Sequence, residues 1–285
     1  MPIKFDFDDI QPPVLIVDCG YLSHYRIHAT YSWYAGTFEI PPNVKEYDWT
    51  KDDEYVEMLE NRCRTSILSI CESYGVSNAN TIFAKDCRRS DIWRCDLFPA
   101  YKQNRREKEQ KRAETEKPNF GSVFGLIKYH ILPKMRDYGF KVIGHDQAEA
   151  DDVIAILKRN IRAEYPERKI IICCNDSDLL QLADENTTFV DLKGVEKDTS
   201  DVLSAHNKFK LKFLAGDKKD NVPQVFERCG KGTAQKLYDN PSVLLERLKS
   251  VPGAAEQLKL NKLLLSFDNI PDEIEESIME QYANG

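Results

Sequence analysis

No stretch of the sequence approaches the eighteen consecutive apolar residues of a membrane-spanning helix, so no helical span and no membrane partner are expected. The eight cysteines never fall into a paired CxxC spacing, and Cys19, Cys173 and Cys174 lie in apolar runs, where a free thiol behaves as a small hydrophobe. No zinc site is expected, and the thiols suit a reducing compartment. The amino terminus, Met1-Pro2-Ile3-Lys4 followed by Asp6, Asp8 and Asp9, lacks the basic and apolar regions of a secretory signal, so an intracellular location is expected. None of the five histidines lies in a motif with a Ser or Cys nucleophile, which leaves acyl-transfer triads without support. Gly230-Lys231-Gly232-Thr233 superficially suggests a nucleotide-binding P-loop. However, residue 225 is Val where the first glycine is needed, and Gly232 stands at the Ser or Thr position. Internal repeats and low-complexity tracts are also lacking.

What the chain does have is acid at the ends of apolar runs. With 285 residues and 41% hydrophobic content it can bury a sizeable core. Asp18 closes Val14-Leu15-Ile16-Val17, Asp86 follows Thr81-Ile82-Phe83-Ala84, and Asp176 and Asp178 follow Ile170-Ile171-Ile172-Cys173-Cys174. Such runs read as buried strands of a parallel sheet, and in open α/β sheets the ligand site lies beyond the carboxyl ends of the strands. Any one of these acids alone is best explained as a solvated surface residue; their placement as a set is not. Glu149 and Asp152, with Asp151 between them, lie three apart at the start of a helical pattern (Val153, Ile154, Leu157, Ile161), and Asp217 and Asp220 repeat the spacing. Converging carboxylates repel unless a cation neutralises them, and an oxygen-only donor set favours magnesium or manganese. Two such ions about 3.5 to 4 Å apart are a recurrent device for cutting phosphodiesters. The net charge of −7 is weak evidence against a nucleic-acid partner, because these nine acids exceed the whole excess and bound metals reverse the local sign.

The remaining pattern is mixed α/β, then helical beyond a boundary near Asp201. Asp52 to Tyr74 has helical spacing, with Gly75 as its stop; Phe120 to Tyr138 reads as a helix with Val123, Ile127, Ile131 and Met135 on one side. Val142-Ile143 is expected as a short strand, Leu179-Leu180-Leu182 as a helix, and Thr188 to Asp191 as an edge strand. The aromatic-rich stretch Tyr21 to Trp49 fits a loop, a hairpin or a partner surface equally. Tyr101 to Lys117 carries seven Lys or Arg against four Glu with little apolar surface, which reads either as a solvated helix or as a basic clamp for phosphates.

Several segments taken in order resemble the flap endonuclease and 5′-3′ exonuclease superfamily, most closely its phage ribonuclease H branch. They are Val17-Asp18; Asp86 with Trp93, Arg94 and Tyr101-Lys102-Gln103-Asn104-Arg105; Glu149-Ala150-Asp151-Asp152; Asn175-Asp176-Ser177-Asp178; Gly216-Asp217-Lys218-Lys219-Asp220-Asn221-Val222-Pro223; and Asp268-Asn269-Ile270-Pro271-Asp272 near the end. Two departures are the Arg228-Cys229-Gly230-Lys231-Gly232-Thr233-Ala234 turn, where the family has a glycine-isoleucine-glycine turn, and the aromatic stretch after Tyr21.

The resemblance implies an α/β nuclease core over residues 1–200, with a mostly parallel sheet and a charged helical arch at about 93–120. Residues 201–285 would form a helical DNA-binding region with a helix-hairpin-helix turn. It implies a metal-dependent 5′ nuclease with two Mg2+ ions, replaceable by Mn2+. Asp18, Asp86, Glu149 and Asp151 would serve the first, with Asp152 as a ligand or as support to one; Asp176, Asp178, Asp217 and Asp220 would serve the second, partly through waters. Lys102, Arg105 and, more weakly, Arg94 would contact the scissile phosphate. Arg106, Lys108, Lys111 and Arg112 would belong to the arch, and Lys218, Lys219, Gly230, Lys231, Gly232 and Thr233 to the duplex contact, where the family often binds K+. The implied partners are DNA with a 5′ flap or free 5′ end and an RNA-DNA hybrid, with a clamp or single-strand-binding protein beside them; the chain is expected to act as a monomer. The rival from another class is a catalytically silent, structure-specific DNA-binding subunit. A magnesium phosphatase is disfavoured because Asp18 is followed by Cys19-Gly20 and not by a second Asp two residues on.

Overall fold

The computed structural model describes residues 11–40, 43–105, 118–199 and 202–284, the side chains of 202–205 excepted. Five short strands build one fully parallel sheet: β1 (Val14–Asp18), β2 (Thr81–Lys85), β3 (Lys141–Gly144), β4 (Ile170–Cys173) and β5 (Thr187–Val190). Their spatial order is β3-β2-β1-β4-β5. The chain adds strands on one side of β1 and then returns to the other side, which puts the topological switch between β1 and β4. Every residue of β1 and β4 is buried, as expected of central strands covered on both faces. Each such Val, Leu or Ile contributes about 1.5–3 kcal/mol relative to exposure. The expected strand at Thr188 to Asp191 is β5, at the sheet edge, and Val142-Ile143 is the middle of β3.

The helices follow their local signals where those are unambiguous. Asp52 caps Asp53–Tyr74 by accepting from the Tyr55 N–H at 2.9 Å, and Gly75 ends it at φ 65°, a left-handed conformation that glycine adopts without a Cβ penalty. Its Tyr55, Leu59, Cys63, Ile67 and Ile70 are buried. The helix at Ala150–Glu164 buries Val153, Ile154, Ile156, Leu157 and Ile161 between the sheet and the final helix, Asp272–Asn284, whose Ile274 and Ile278 are buried. The expected helix over 120–138 is interrupted. It runs as Gly121–Leu126, a π-helical turn over Ile127–Ile131, Leu132–Met135 and a final 3-10 turn, yet Val123, Ile127, Ile131 and Met135 all remain buried. The segment at Leu179 to Leu182 is part of a 3-10 helix, Ser177–Leu182.

The stretch Tyr21 to Trp49 contributes several aromatic side chains to the core. It begins as a helix, Cys19–Thr37, that buries Cys19, Leu22, Ser23, Ile27, Thr30 and Tyr34. Trp49 is fully buried and meets Tyr31, Tyr34, Tyr47 and Tyr55 at ring-centroid distances of 4.8 to 5.6 Å. Asp52 gathers this cluster, accepting from Tyr34 OH at 2.8 Å and Tyr47 OH at 3.0 Å. Ser23, Thr30 and Tyr34 on the buried face broke the apolar stripe that would have announced a helix.

Two compact units result. One comprises 1–87, 116–199 and 272–285; the other 88–115 and 200–271. One boundary between the units falls between residues 199 and 200. The final helix groups with the sheet because its apolar face packs on Ala150–Glu164 and β3. The second unit has its own core of Leu211, Leu214, Val225, Phe226, Cys229, Ala234, Leu237 and Ala254. Its described α-helices are Arg94–Leu97, Val202–Ala215, Lys231–Tyr238, Pro241–Ser250 and Ala254–Leu265. No described helix is long and apolar enough to cross a membrane.

One polar network in the first unit sets an acid limit on stability. Asp184 accepts from Lys158 Nζ at 2.5 Å, Thr187 Oγ1 at 2.6 Å, and Arg162 Nε and Nη2 at 3.0 and 3.1 Å. Burial pushes its carboxyl up, but these hydrogen bonds and the Lys158 charge outweigh burial and hold it at about 2. A carboxyl depressed in the folded state stabilises the fold above its unfolded value near 4 and loses that contribution as pH falls through 2. Asp184→Asn should cost about 2 kcal/mol at pH 7 by leaving Lys158 and Arg162 uncompensated. Thermal melts of variant and parent should converge between pH 4 and pH 2; a constant gap across that window would contradict the assignment.

Candidate active site

The strand order brings three of the expected acids to adjacent carboxyl ends. Asp18 is the last residue of β1, Asp86 follows β2 directly and Asp176 lies three residues past β4, with β2 and β4 the two neighbours of β1. Asp18 is 8% exposed and caps helix Cys19–Thr37 by accepting from the Tyr21 N–H at 3.0 Å. Burial first, then the charges of Asp86 and Asp176, raise its pKa to about 7 against the pull of the Tyr21 and Gly20 amides. A carboxyl held this far above its ordinary range is destabilised as an anion, which is the electrostatic signature of a cation-binding or acid-base site. A Cβ on Gly20 would stand 2.9 Å from Asp86 Oδ2 and 3.2 Å from Asp18 Oδ1, so a larger residue there would push on the two carboxylates. Gly20 was missed in the sequence, where its signal was only its place two residues after Asp18.

Helix Ala150–Glu164 presents its amino terminus to the same acids. Ala150 N donates to Asp86 Oδ1 at 2.9 Å, and the partial positive charge of a helix start favours a carboxylate there. Glu149 is the N-cap residue, with extended backbone (ψ 159°), and is half-buried, as is Asp151. Asp152 is different: it is fully buried and forms a capping box with Glu149, accepting from the Glu149 N–H at 3.1 Å. Of its two expected roles the structure therefore favours support, since it orients Glu149. Asp176 closes a local turn by accepting from the Asp178 N–H at 3.0 Å. Both residues are half-buried.

All these donors are carboxylate oxygens, which suits a hard divalent cation. Among the described residues no three or more His, Cys, Asp or Glu side chains are drawn into a group that could by itself enclose a metal ion. Magnesium does not require one, because it keeps several waters and takes one or two carboxylates plus substrate phosphate oxygens. The donor set fits on that basis.

The second unit carries the other expected residues. Asp217 accepts from Lys212 Nζ at 2.6 Å and from the Lys219 N–H at 2.7 Å. Burial alone would raise its pKa, but the Lys212 hydrogen bond and charge prevail and lower it. Asp220 is ion-paired with Arg105 and lies 3.8 Å from Lys102 Nζ. Both carboxylates are buried and engaged by cations of the chain itself, a partnership the sequence spacing did not reveal. Arg94 departs from expectation: it is 3% exposed, donates from Nε to the Leu264 carbonyl at 2.8 Å and stacks 4.4 Å from the Trp93 ring centre. That burial makes it a staple of its own unit; Lys102 is buried too, at 6% exposed, with its ammonium toward Asp220. Lys218, Lys219, Lys231 and Gly232 are exposed, and Thr233 is half-buried. Gly230 is exposed and caps helix Lys231–Tyr238. A Cβ at Gly230 or Gly232 would meet nothing within 4 Å, so the chain's own packing does not demand glycine at either place. Open space over backbone amides at a helix start suits an approaching phosphate. Arg106, Lys108, Lys111 and Arg112 lie outside the described residues.

Comparison with known proteins defines the class. The model of the 5′-3′ exonuclease N-terminal, resolvase-like domain matches residues 46–213, more than half of the chain. The chain belongs to that family of 5′-3′ exonucleases and is a 5′ nuclease. Among curated relatives it is 28% identical over 215 residues to ribonuclease H of Enterobacteria phage T4, covering 69% of this chain and 67% of that one. It is 29% identical over 195 residues to DNA polymerase I of Pseudomonas aeruginosa, covering 65% of this chain but 20% of the polymerase. Among solved structures, the T5 D15 protein co-crystallised with metal ions shares the fold with a TM-score of 0.66 at 19% identity, over 95% of this chain and 97% of that one. A pseudo-enzyme-product complex of the T5 D15 flap endonuclease with DNA and metal ions aligns with a TM-score of 0.63 at 20% identity, over 95% and 99%.

Proposed function

We propose that this nuclease hydrolyses phosphodiesters near the junction of single and double strand in DNA bearing a 5′ flap or free 5′ end, and removes RNA from RNA-DNA hybrids, with Mg2+ as cofactor and Mn2+ as substitute. One observation carries this reading: Asp18, Asp86 and Asp176 stand at the ends of three adjacent parallel strands, close enough that two of them raise the pKa of the third. Asp18, Asp86, Glu149, Asp151, Asp176 and Asp178 would hold the cations, with Asp152 orienting Glu149. Divalent cations held by these residues would supply Lewis-acid stabilisation of negative charge on the reacting phosphate oxygens. Lys102 and Arg105 supply fixed positive charge to the substrate phosphate, an effect worth about 3–4 kcal/mol per donor. Asp217 and Asp220 would serve a cation only by exchanging Lys212, Lys102 and Arg105 for it. The turn at Gly230 to Thr233 would receive duplex phosphates, with K+ as an optional ion. Action as a monomer inside the cell, beside a clamp or single-strand-binding protein, completes the reading.

The test is cleavage of a 5′-labelled flap, a nicked duplex and an RNA-DNA hybrid, each with Mg2+, Mn2+ or chelator. Metal-dependent short 5′ products are expected from all three. Tight binding at the junction without cleavage in any metal would replace this reading with that of a silent binding subunit.

A further inference from the structure

The backbone of Lys102 has φ 55°, in the left-handed region that a residue with a Cβ rarely occupies. Such a conformation is strained and persists where its surroundings over-determine it. Here the surroundings are one loop, Asp217 to Val222, in the same compact unit. Asn221 Nδ2 donates to the Ala100 carbonyl at 2.7 Å, and Asn104 Nδ2 donates to the Lys218 carbonyl at 2.6 Å. Between these crossed contacts the Lys102 N–H donates to the Asp220 carbonyl at 2.9 Å. The Arg105 N–H closes the turn onto the Lys102 carbonyl at 3.1 Å. Each segment thus lends one side-chain amide to the backbone of the other, and Lys102 and Arg105 lie inside the clip. Asn221 is itself left-handed at φ 60°, a conformation Asn tolerates better than most residues, and the loop is closed behind it by the paired hydrogen bonds of Asp217 and Val222 at 2.9 and 2.8 Å.

We propose that Asn221, with Asn104, is a positioning residue for the phosphate-contacting cations Lys102 and Arg105. The inference rests on the role given above to those two cations. Neither asparagine carries charge or needs to touch substrate; each acts by fixing the backbone from which a cation projects. Rate depends steeply on such placement, and a displacement of about 1 Å can cost roughly a hundredfold.

The decisive variant is Asn221→Gly, which allows the left-handed backbone and removes the side-chain amide. Single-turnover cleavage of a 5′ flap in saturating Mg2+ should slow 10- to 100-fold, with the flap dissociation constant changed less than about threefold. Asn104→Ala, at the opposite end of the clip, should lower the rate in the same way and supplies the test should Asn221→Gly fail to fold. In a Lys102→Ala, Arg105→Ala background either substitution should have no further effect on the rate, a non-additivity that general loosening of the unit would not produce. Parental single-turnover rates in both asparagine variants, or effects that multiply undiminished in the cation-less background, would overturn the clip while leaving the cation assignment intact. A fully active Lys102→Ala, Arg105→Ala protein would instead overturn the cation assignment, and the clip with it.

Discussion

Replacing Asp18 by Asn is expected to abolish cleavage and, in chelator, to make the protein more stable. Both results come from one position. Asp18 ends the central strand, is nearly inaccessible, and faces the charges of Asp86 and Asp176, so its carboxyl is held at about 7. An acid whose folded-state pKa lies above its unfolded value near 3.8 disfavours the fold once ionised. That penalty is absent below pH 4, grows between pH 4 and pH 7, and is fully present above about pH 7. Asn keeps the oxygen that caps helix Cys19–Thr37, for which it is as good as Asp, and removes the buried charge. At pH 8 the gain should be about 2–4 kcal/mol, or on the order of 5–10 °C in Tm, and it should vanish near pH 4. A divalent cation relieves the same penalty in the parent, so Mg2+ should raise the parent's Tm more than the variant's. Melts at pH 4 and pH 8, with chelator and with Mg2+, measure all of this. A variant that still turned over flap substrate, or that melted lower than its parent at pH 8 in chelator, would remove Asp18 from the cation site.

Gly216→Ala should disrupt the second unit more than any removal of charge. Gly216 sits at φ 67°, and a Cβ there would lie 2.4 Å from the Val222 carbonyl oxygen and 2.7 Å from both C and O of Pro223. These are backbone atoms and cannot swing aside as a side chain would. They are held by the Asp217–Val222 hydrogen-bond pair, by the Asn261 amide donating to the Pro223 carbonyl at 2.8 Å, and by Val225 N bonding to Leu214 O at 2.9 Å. The left-handed conformation costs about 1 kcal/mol for alanine, and the overlap adds more, so a loss of about 3–5 kcal/mol is expected. The loop carries Asp217, Asp220 and Asn221, so cleavage should fall with it. Hydrogen exchange would locate the damage: amides of 202–271 should lose protection while those of the five strands keep theirs. Unchanged protection across 202–271 would mean that the loop accommodates the methyl group.

The motif around Gly216 was legible in the sequence because its glycine, acids and proline are contiguous. The steric need for that glycine was not, because the atoms it avoids come from a loop that folds back on it. The same distinction holds elsewhere. β1, β2 and β4 could be read from apolar runs closed by acid, and helix Asp53–Tyr74 from its spacing and terminal Gly75. Helix Cys19–Thr37 could not, since its buried face mixes Ser23, Thr30 and Tyr34 with apolar residues and its partners include Trp49 and Tyr55 further along the chain. Asp152 and Arg94 carried the expected charge but have partners that withdraw them from solvent, Glu149 and the Leu264 carbonyl.

By itself, then, the amino-acid sequence determined strands β1, β2 and β4, helix Asp53–Tyr74 and which acids end the strands, because propensity, apolar period and capping act over a few residues. Tertiary structure alone decided the order β3-β2-β1-β4-β5, and with it that Asp18 has Asp86 on one side and Asp176 on the other. It also decided that Asp220 holds Lys102 and Arg105, residues more than a hundred positions away in the chain. The physical reason is common to both cases. A buried charge takes the environment of whatever the folded chain brings within a few ångströms, and local sequence does not encode that neighbour.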